Sequence, residues 1–202
     1  MPLTRTPASP TKQQEQLKAY LLKFHHVTDQ ILSDYVTLWT AISIPRKTII
    51  TAPGETEQFF YFITEGIHKS HLLNGNKQHI IAFAHAPSFS GIPESFFTQQ
   101  PSRYYLESIT ATEGLKISSH NHQMMLQKHE EINTLFRKIT ETFLTGVLQR
   151  QHELMSMTME TRFRTFVERS AYLLHKVPHK DIASYLNIDA TNFSKLMNSI
   201  RI

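Results

Sequence analysis

The residues whose types and spacing best predict a function lie near the end of the sequence. The segment HKDIASYLNIDATNFSKLMNSI predicts two short helices that share an apolar face, formed by Ile182, Ala183, Leu186, Phe193, Leu196 and Ile200. Ala183 is small enough for two helices to cross closely. Asn187 tolerates the positive φ of a helix C-terminus, and Asp189 is a residue type that caps the next helix. This order is typical of a helix-turn-helix, although a pair of helices in any all-α domain is the alternative interpretation.

The rest of the sequence gives little indication of a catalytic site or a metal site. The 202 residues include no cysteine, which excludes disulfides, thiolate zinc or iron–sulfur sites and a thiol nucleophile. His120 and His122 are two residues apart and His25 and His26 are adjacent, whereas a helical zinc site needs a spacing of four. No nucleophile–base pair or glycine-rich phosphate loop is present. We therefore predict that the protein is not an enzyme and holds no metal.

The predicted secondary structure that positions the helical tail changes along the chain from helix to strands and back to helix. Two short helices are predicted between Thr11 and Trp39, the second capped by Thr28. From Ala41 onward, seven β-rich runs are separated by turn signals such as Asn74-Gly75, as in an antiparallel roll or barrel. The helical period returns near Asn121 and continues to the end.

One long helix of about 30 residues is predicted after the strands, because apolar residues recur every three or four positions. This stripe either lies on its own domain or forms the seam of a dimer, in which Gly146 allows close approach of two backbones. The predicted dimer interface consists of Ile132, Phe136, Ile139, Phe143, Gly146 and Val147.

Charge and hydropathy narrow the range of partners. The net charge of +4 is compatible with a nucleic acid. No apolar run is long enough to cross a membrane and the first residues contain no secretory stretch, so we expect a cytoplasmic protein without a membrane partner.

Two stretches of the sequence resemble a known family. PGETEQFFYFITEGIHKSHLL, with PSRYYLESIT after it, is similar to the β-roll of the Crp/Fnr family of bacterial transcription regulators. METRFRTFVERSAYLLHKVPHKDIASYLNIDATNFSKL resembles the helix-turn-helix of one branch of that family, and is the more specific of the two.

The resemblance implies an α+β protein of three parts. These are a cyclic-nucleotide-binding-like β-roll with N-terminal helices (1–127), a long dimerisation helix (128–159) and a helix-turn-helix DNA-binding domain (160–202). It also implies a homodimer that binds double-stranded DNA, with RNA polymerase as a further candidate partner. The alternative is a ligand-sensing or protein-interaction module that keeps the fold but has weakened DNA recognition.

The DNA contacts implied by the resemblance lie around the second helix of the tail. The family's base-reading positions correspond to Ala190, Thr191 and Lys195, and Ala190 lacks the guanidinium that reads guanine. The full predicted DNA-binding set is His179, Lys180, Ala190, Thr191, Asn192, Ser194, Lys195 and Asn198. The wing hairpin that usually follows in the family is absent from this sequence, so weak DNA binding is an alternative expectation.

The ligand site of the family matches this sequence poorly. Glu94, Arg103 and Tyr104 are candidate ligand-binding residues by their place in the family's phosphate and ribose cradle. However, Ile92 and Pro93 separate Gly91 from Glu94, and proline removes a backbone donor. We therefore expect no response to cyclic AMP, no cofactor, and an effector of unknown identity.

Overall fold

The N-terminal segment forms two helices that cover one side of a β-roll. The structure, a computed structural model, describes residues 11–75 and 77–199, so the predicted core position Ile200 lies outside the described residues. The helices are α1 (Lys12–Leu21) and α2 (Asp29–Thr37). Thr28 precedes α2 as predicted, but its hydroxyl donates to the Glu131 carboxylate, 2.9 Å away, instead of capping the helix.

The β-roll consists of two four-stranded antiparallel sheets. The strands and the short helix between them are β1 (Thr40–Ile44), β2 (Ile49–Thr51), β3 (Phe59–Glu65), β4 (Ile67–Asn74), β5 (Lys77–His85), β6 (Ser88–Ser90), α3 (Pro93–Thr98), β7 (Tyr105–Ser108) and β8 (Thr112–Ser118). The sheet orders are β1-β8-β3-β6 and β2-β7-β4-β5, which leaves β5 at an edge of the second sheet. Strand β6 was not among the predicted strands, because it has only three residues.

Strand β3 is buried on both of its faces. Phe60 and Phe62 pack against the helices, in a core that includes Trp39. Tyr61 points into the roll, where it packs with Leu106. Strand β3 therefore joins the helical layer to the interior of the roll.

The chain after the roll is helical throughout. Its elements are α4 (Ser119–Lys128), α5 (Glu130–Ser156), α6 (Met159–Ser170), a 3₁₀ turn (Ala171–His175), α7 (His179–Leu186) and α8 (Ala190–Ser199). The predicted α+β order of roll, long helix and helical tail is confirmed. Within the described residues, no helix is long and apolar enough to cross a membrane.

Candidate nucleic-acid interface and ligand cavity

Helices α7 and α8 form a compact pair joined by a tight turn. Asn187 ends α7 with φ 52° and ψ 50°, the left-handed conformation expected there. Asp189 accepts a 2.9 Å hydrogen bond from the backbone N–H of Asn192, and this bond lowers the pKa of Asp189. Both turn predictions from the sequence are therefore confirmed.

The turn is also held from outside by an arginine of α6. The Arg162 side chain donates to the carbonyls of Leu186 and Asn187, at 2.9 and 3.1 Å, and to that of Met157, at 2.7 Å. The carbonyls of Leu186 and Asn187 lie at the end of α7, where the helix itself offers them no N–H partner. Arg162 was not among the predicted site residues, because its sequence position gives no sign of this contact.

The pair packs through a core of aromatic and aliphatic side chains. Phe193 of α8 meets Phe163 of α6 edge to face, with ring centroids 5.4 Å apart. Ile182, Ala183 and Leu186 of α7 are buried in the same cluster as Phe193. The orientation of α8 therefore follows from that of α7.

Most of the predicted DNA-binding side chains are exposed. These are Lys180, Ala190, Thr191, Ser194, Lys195 and Asn198. Two others are engaged within the chain. Asn192 donates its side-chain amide to Asp189 at 2.6 Å, and the His179 imidazole lies 3.3 Å from the Leu174 carbonyl.

A cavity of about 480 Å³, open to solvent on one side, lies between the β-roll and α5. Its wall includes the aromatic side chains Phe60, Phe89, Phe97, Tyr104, Phe136 and Phe143, and also the charged residues Lys69 and Glu94. The Ser88 hydroxyl lines the same cavity and is buried, with no hydrogen-bond partner among the described residues.

The predicted ligand residues do not form a cradle for an anion. Arg103 pairs with Glu94 at 2.7 Å, and both side chains are more than half exposed at the mouth of the cavity. Pro93 occupies the first position of α3 and supplies no N–H. Glu94 and Tyr104 both line the cavity. The guanidinium and the carboxylate therefore neutralise each other at its mouth.

Two of the three histidines that are buried among the described residues, His68 and His122, are held as neutral side chains. His68 contacts the hydroxyls of Ser90 and Thr112, at 2.9 and 3.2 Å, and burial lowers its pKa to about 4. His122 contacts the Tyr35 hydroxyl at 2.9 Å, and burial lowers its pKa to about 4. No group of three or more histidine and acidic side chains converges within the described residues.

The predicted dimer residues on α5 fall into two environments. Ile132 and Phe136 are 0% and 6% exposed, in the core beneath α2 and α4, so their assignment to a subunit interface is corrected. Ile139 is partly buried against that core. Phe143, Gly146 and Val147 are exposed.

Comparison with solved structures agrees with this architecture. FixK2 from Bradyrhizobium japonicum superposes with a TM-score of 0.68 at 18% identity, over 80% of this chain and 83% of that one. A mutant of CooA from Carboxydothermus hydrogenoformans gives 0.62 at 16% identity, over 89% and 81%. The c-di-GMP responsive global regulator CLP of Xanthomonas campestris gives 0.61 at 12% identity, over 85% and 91%.

The chain has the Crp/Fnr fold. A search of known protein families and a search of curated proteins found no match to the sequence. At these identities the comparison shows the Crp/Fnr fold alone, and function has to be argued from the residues.

Proposed function

We propose that the protein is a homodimeric DNA-binding transcription regulator whose α8 enters the major groove. The observation that carries this proposal is the α7–turn–α8 pair, which directs a polar, exposed face of α8 away from the rest of the chain. Thr191, Ser194 and Lys195 lie on this face. Hydroxyl and ammonium groups of this kind contact base edges and phosphates.

The same face indicates moderate sequence specificity. Ala190 stands at the start of α8, where an arginine could read guanine with two hydrogen bonds. Because the side-chain amide of Asn192 donates a hydrogen bond to Asp189, fewer of its hydrogen-bonding groups are available to a DNA base. Lys195 is the strongest remaining contact, and Lys180 supplies a phosphate contact from α7.

The middle of α5 supports the homodimer. Every residue from 140 to 149 is exposed, so this part of the helix is only partly covered by its own chain, where Phe143 lines the cavity. Its apolar side chains Phe143, Leu144, Val147 and Leu148 are each 45–57% exposed. Since residues three and four apart share one helix face, they form a contiguous apolar surface that fits the same helix of a second copy.

DNA selection tests the proposal most directly. Purified protein is used to select genomic fragments, and the recovered site is titrated by fluorescence anisotropy at two salt concentrations. We expect a palindromic site whose affinity falls steeply with salt, because phosphate contacts release counterions. Sequence-blind binding would overturn the proposal.

A charge reversal on α8 refines this test. Lys195→Glu should weaken binding to the selected site at least tenfold, whereas Lys128→Glu, at the exposed end of α4, should leave it unchanged. Equal effects of the two variants would show a general charge effect and not entry of α8 into the groove.

The protein is not expected to respond to cyclic AMP. A phosphate at the cavity mouth would meet the Glu94 carboxylate, and the Arg103 charge is already paired. Thermal-shift scans with cyclic AMP should show no stabilisation, whereas a micromolar site would raise the melting temperature at millimolar ligand.

The cavity favours a second candidate function, the sensing of an apolar effector. Its volume of about 480 Å³ and the six aromatic side chains named above suit a small neutral molecule. A neutral naphthalene fluorophore should bind saturably, and Ser88→Leu should weaken this binding at least tenfold by filling the cavity. If the variant binds the probe as the wild type does, the probe lies elsewhere.

A further inference from the structure

Helix α7 covers the outer face of the second sheet and buries an ion pair there. The Lys69 ammonium of β4 lies 2.9 Å from the Asp181 carboxylate of α7 and 3.4 Å from the Glu107 carboxylate of β7. The side chains of Lys69 and Asp181 are 8% and 3% exposed. Removing two charges from water costs several kcal/mol per ion, so this pair is favourable only while α7 stays in place.

The same helix also satisfies the free edge of β5. The Ser184 hydroxyl donates to the Gln78 carbonyl at 3.0 Å and accepts from the Ile80 N–H at 3.1 Å. Because β5 is an edge strand, these two backbone groups have no partner strand on that side among the described residues. Ser184 bonds both of them at once.

Helix α5 holds the tail from the other side. Arg150 donates to the Tyr185 carbonyl at 2.8 Å, and its guanidinium lies 3.5 Å from the centre of the Tyr185 ring. Glu153 accepts two hydrogen bonds from Arg169, at 2.9 and 2.8 Å. The helix-turn-helix is thus held between α5 and the roll.

This docking leaves the outward face of α8 free. Lys195 and Thr191 remain exposed. The orientation of α8 follows that of α7, because Phe193 packs in one cluster with Ile182 and its ring centroid lies 5.7 Å from that of His179. Apolar contacts tolerate small slides, whereas the buried ion pair and the two Ser184 bonds are satisfied at a single position. The docking of α7 on the roll therefore sets the orientation of α8 and leaves the outward face of α8 accessible.

We propose that Lys69, Asp181 and Ser184 form a latch that locks α7 to the β-roll and so sets the separation of the two recognition helices α8 in the dimer. The proposal rests on the function proposed above, since only a dimer that binds two DNA half-sites has such a separation. The three are positioning residues, because they act on DNA only through α8.

The first test asks whether the latch holds α7. Lys69→Met keeps the length of the side chain but leaves the Asp181 carboxylate facing Glu107. Hydrogen exchange of the Ile80 amide should become at least tenfold faster in this variant. Lys77→Met, at an exposed position of β5, is the matched control and should exchange as the wild type does.

Ser184→Ala is a second test variant, for the case that Lys69→Met disturbs the roll itself. It removes only the hydroxyl that bonds β5, so it should also speed the exchange of the Ile80 amide. If both Lys69→Met and Ser184→Ala leave this amide protected, the latch does not exist.

The second test asks whether the latch sets the half-site separation. Wild-type protein should bind the selected palindrome and lose at least tenfold in affinity when one or two base pairs are inserted between its halves. Lys69→Met should lose most of this discrimination. Faster exchange with unchanged spacing preference would refute the positioning role. If the wild type selects no site, the proposed function and the positioning role fail together, while the exchange data still decide whether α7 is latched.

Discussion

At the scale of single residues, the buried histidines make folding sensitive to acid. A histidine whose pKa is about 4 in the folded protein and about 6.5 in the unfolded chain binds protons first in the unfolded state. Its contribution to stability is therefore present near pH 7 and is lost as the pH falls from about 6.5 to 4. For His122 the loss between pH 7 and pH 5 is about 2 kcal/mol.

His122→Gln should remove this part of the acid sensitivity. The amide keeps a partner for the Tyr35 hydroxyl but does not titrate. The fall in melting temperature between pH 7 and pH 5 should therefore be smaller than in the wild type, by about 4–8 °C. His120→Gln changes an exposed histidine two residues earlier and should follow the wild type. If both variants lose as much stability as the wild type, His122 already titrates normally in the folded protein.

Residue-scale prediction succeeded where the physics is local. Asn187 and Asp189 were assigned from their own conformational and capping preferences, and the structure places both in those roles. Lys69 and Asp181 are 112 positions apart, and their contact depends on how α7 docks on the roll. Side-chain type and spacing carry no information on such docking, so the ion pair could not be predicted.

At the scale of elements, α5 shows what periodicity can and cannot predict. One apolar stripe runs along the helix, but Phe136 lies under the roll's helices while Phe143 lies beyond them. The spacing of apolar residues predicts that a helix has an apolar face, but it does not predict which element packs against that face. The strands were easier to predict because turn residues bound each run.

Phe143→Lys should therefore convert the dimer to a monomer. The charge would lie within the apolar surface of residues 143–148, where two such helices would bury it without a partner. Sedimentation velocity should give a mass near 23 kDa instead of twice that. Thr145→Lys, on the opposite face of α5, is the control and should remain dimeric. A dimeric Phe143→Lys would place the interface elsewhere.

At the scale of the whole molecule, one hydrophobic cluster contains residues of both the roll and the helical tail. Ile67 and Ile109 of the roll pack in the same cluster as Phe166 and Ile182 of the tail. Together with the ion pair and the Ser184 bonds, this makes the two parts mutually dependent. The described chain should therefore unfold as one cooperative unit, although its sequence reads as separate segments.

Differential scanning calorimetry can test this coupling, with the calorimetric and van't Hoff enthalpies equal in the wild type. Ile67→Ala removes a buried side chain at the junction, so the tail should melt separately and the transition should split or broaden. Ile63→Ala, in a strand of the roll away from the tail, should cost about 2–5 kcal/mol but leave a single transition. Two transitions in the wild type would show that the tail folds independently, and that the contacts of α7 with the roll contribute little to its stability.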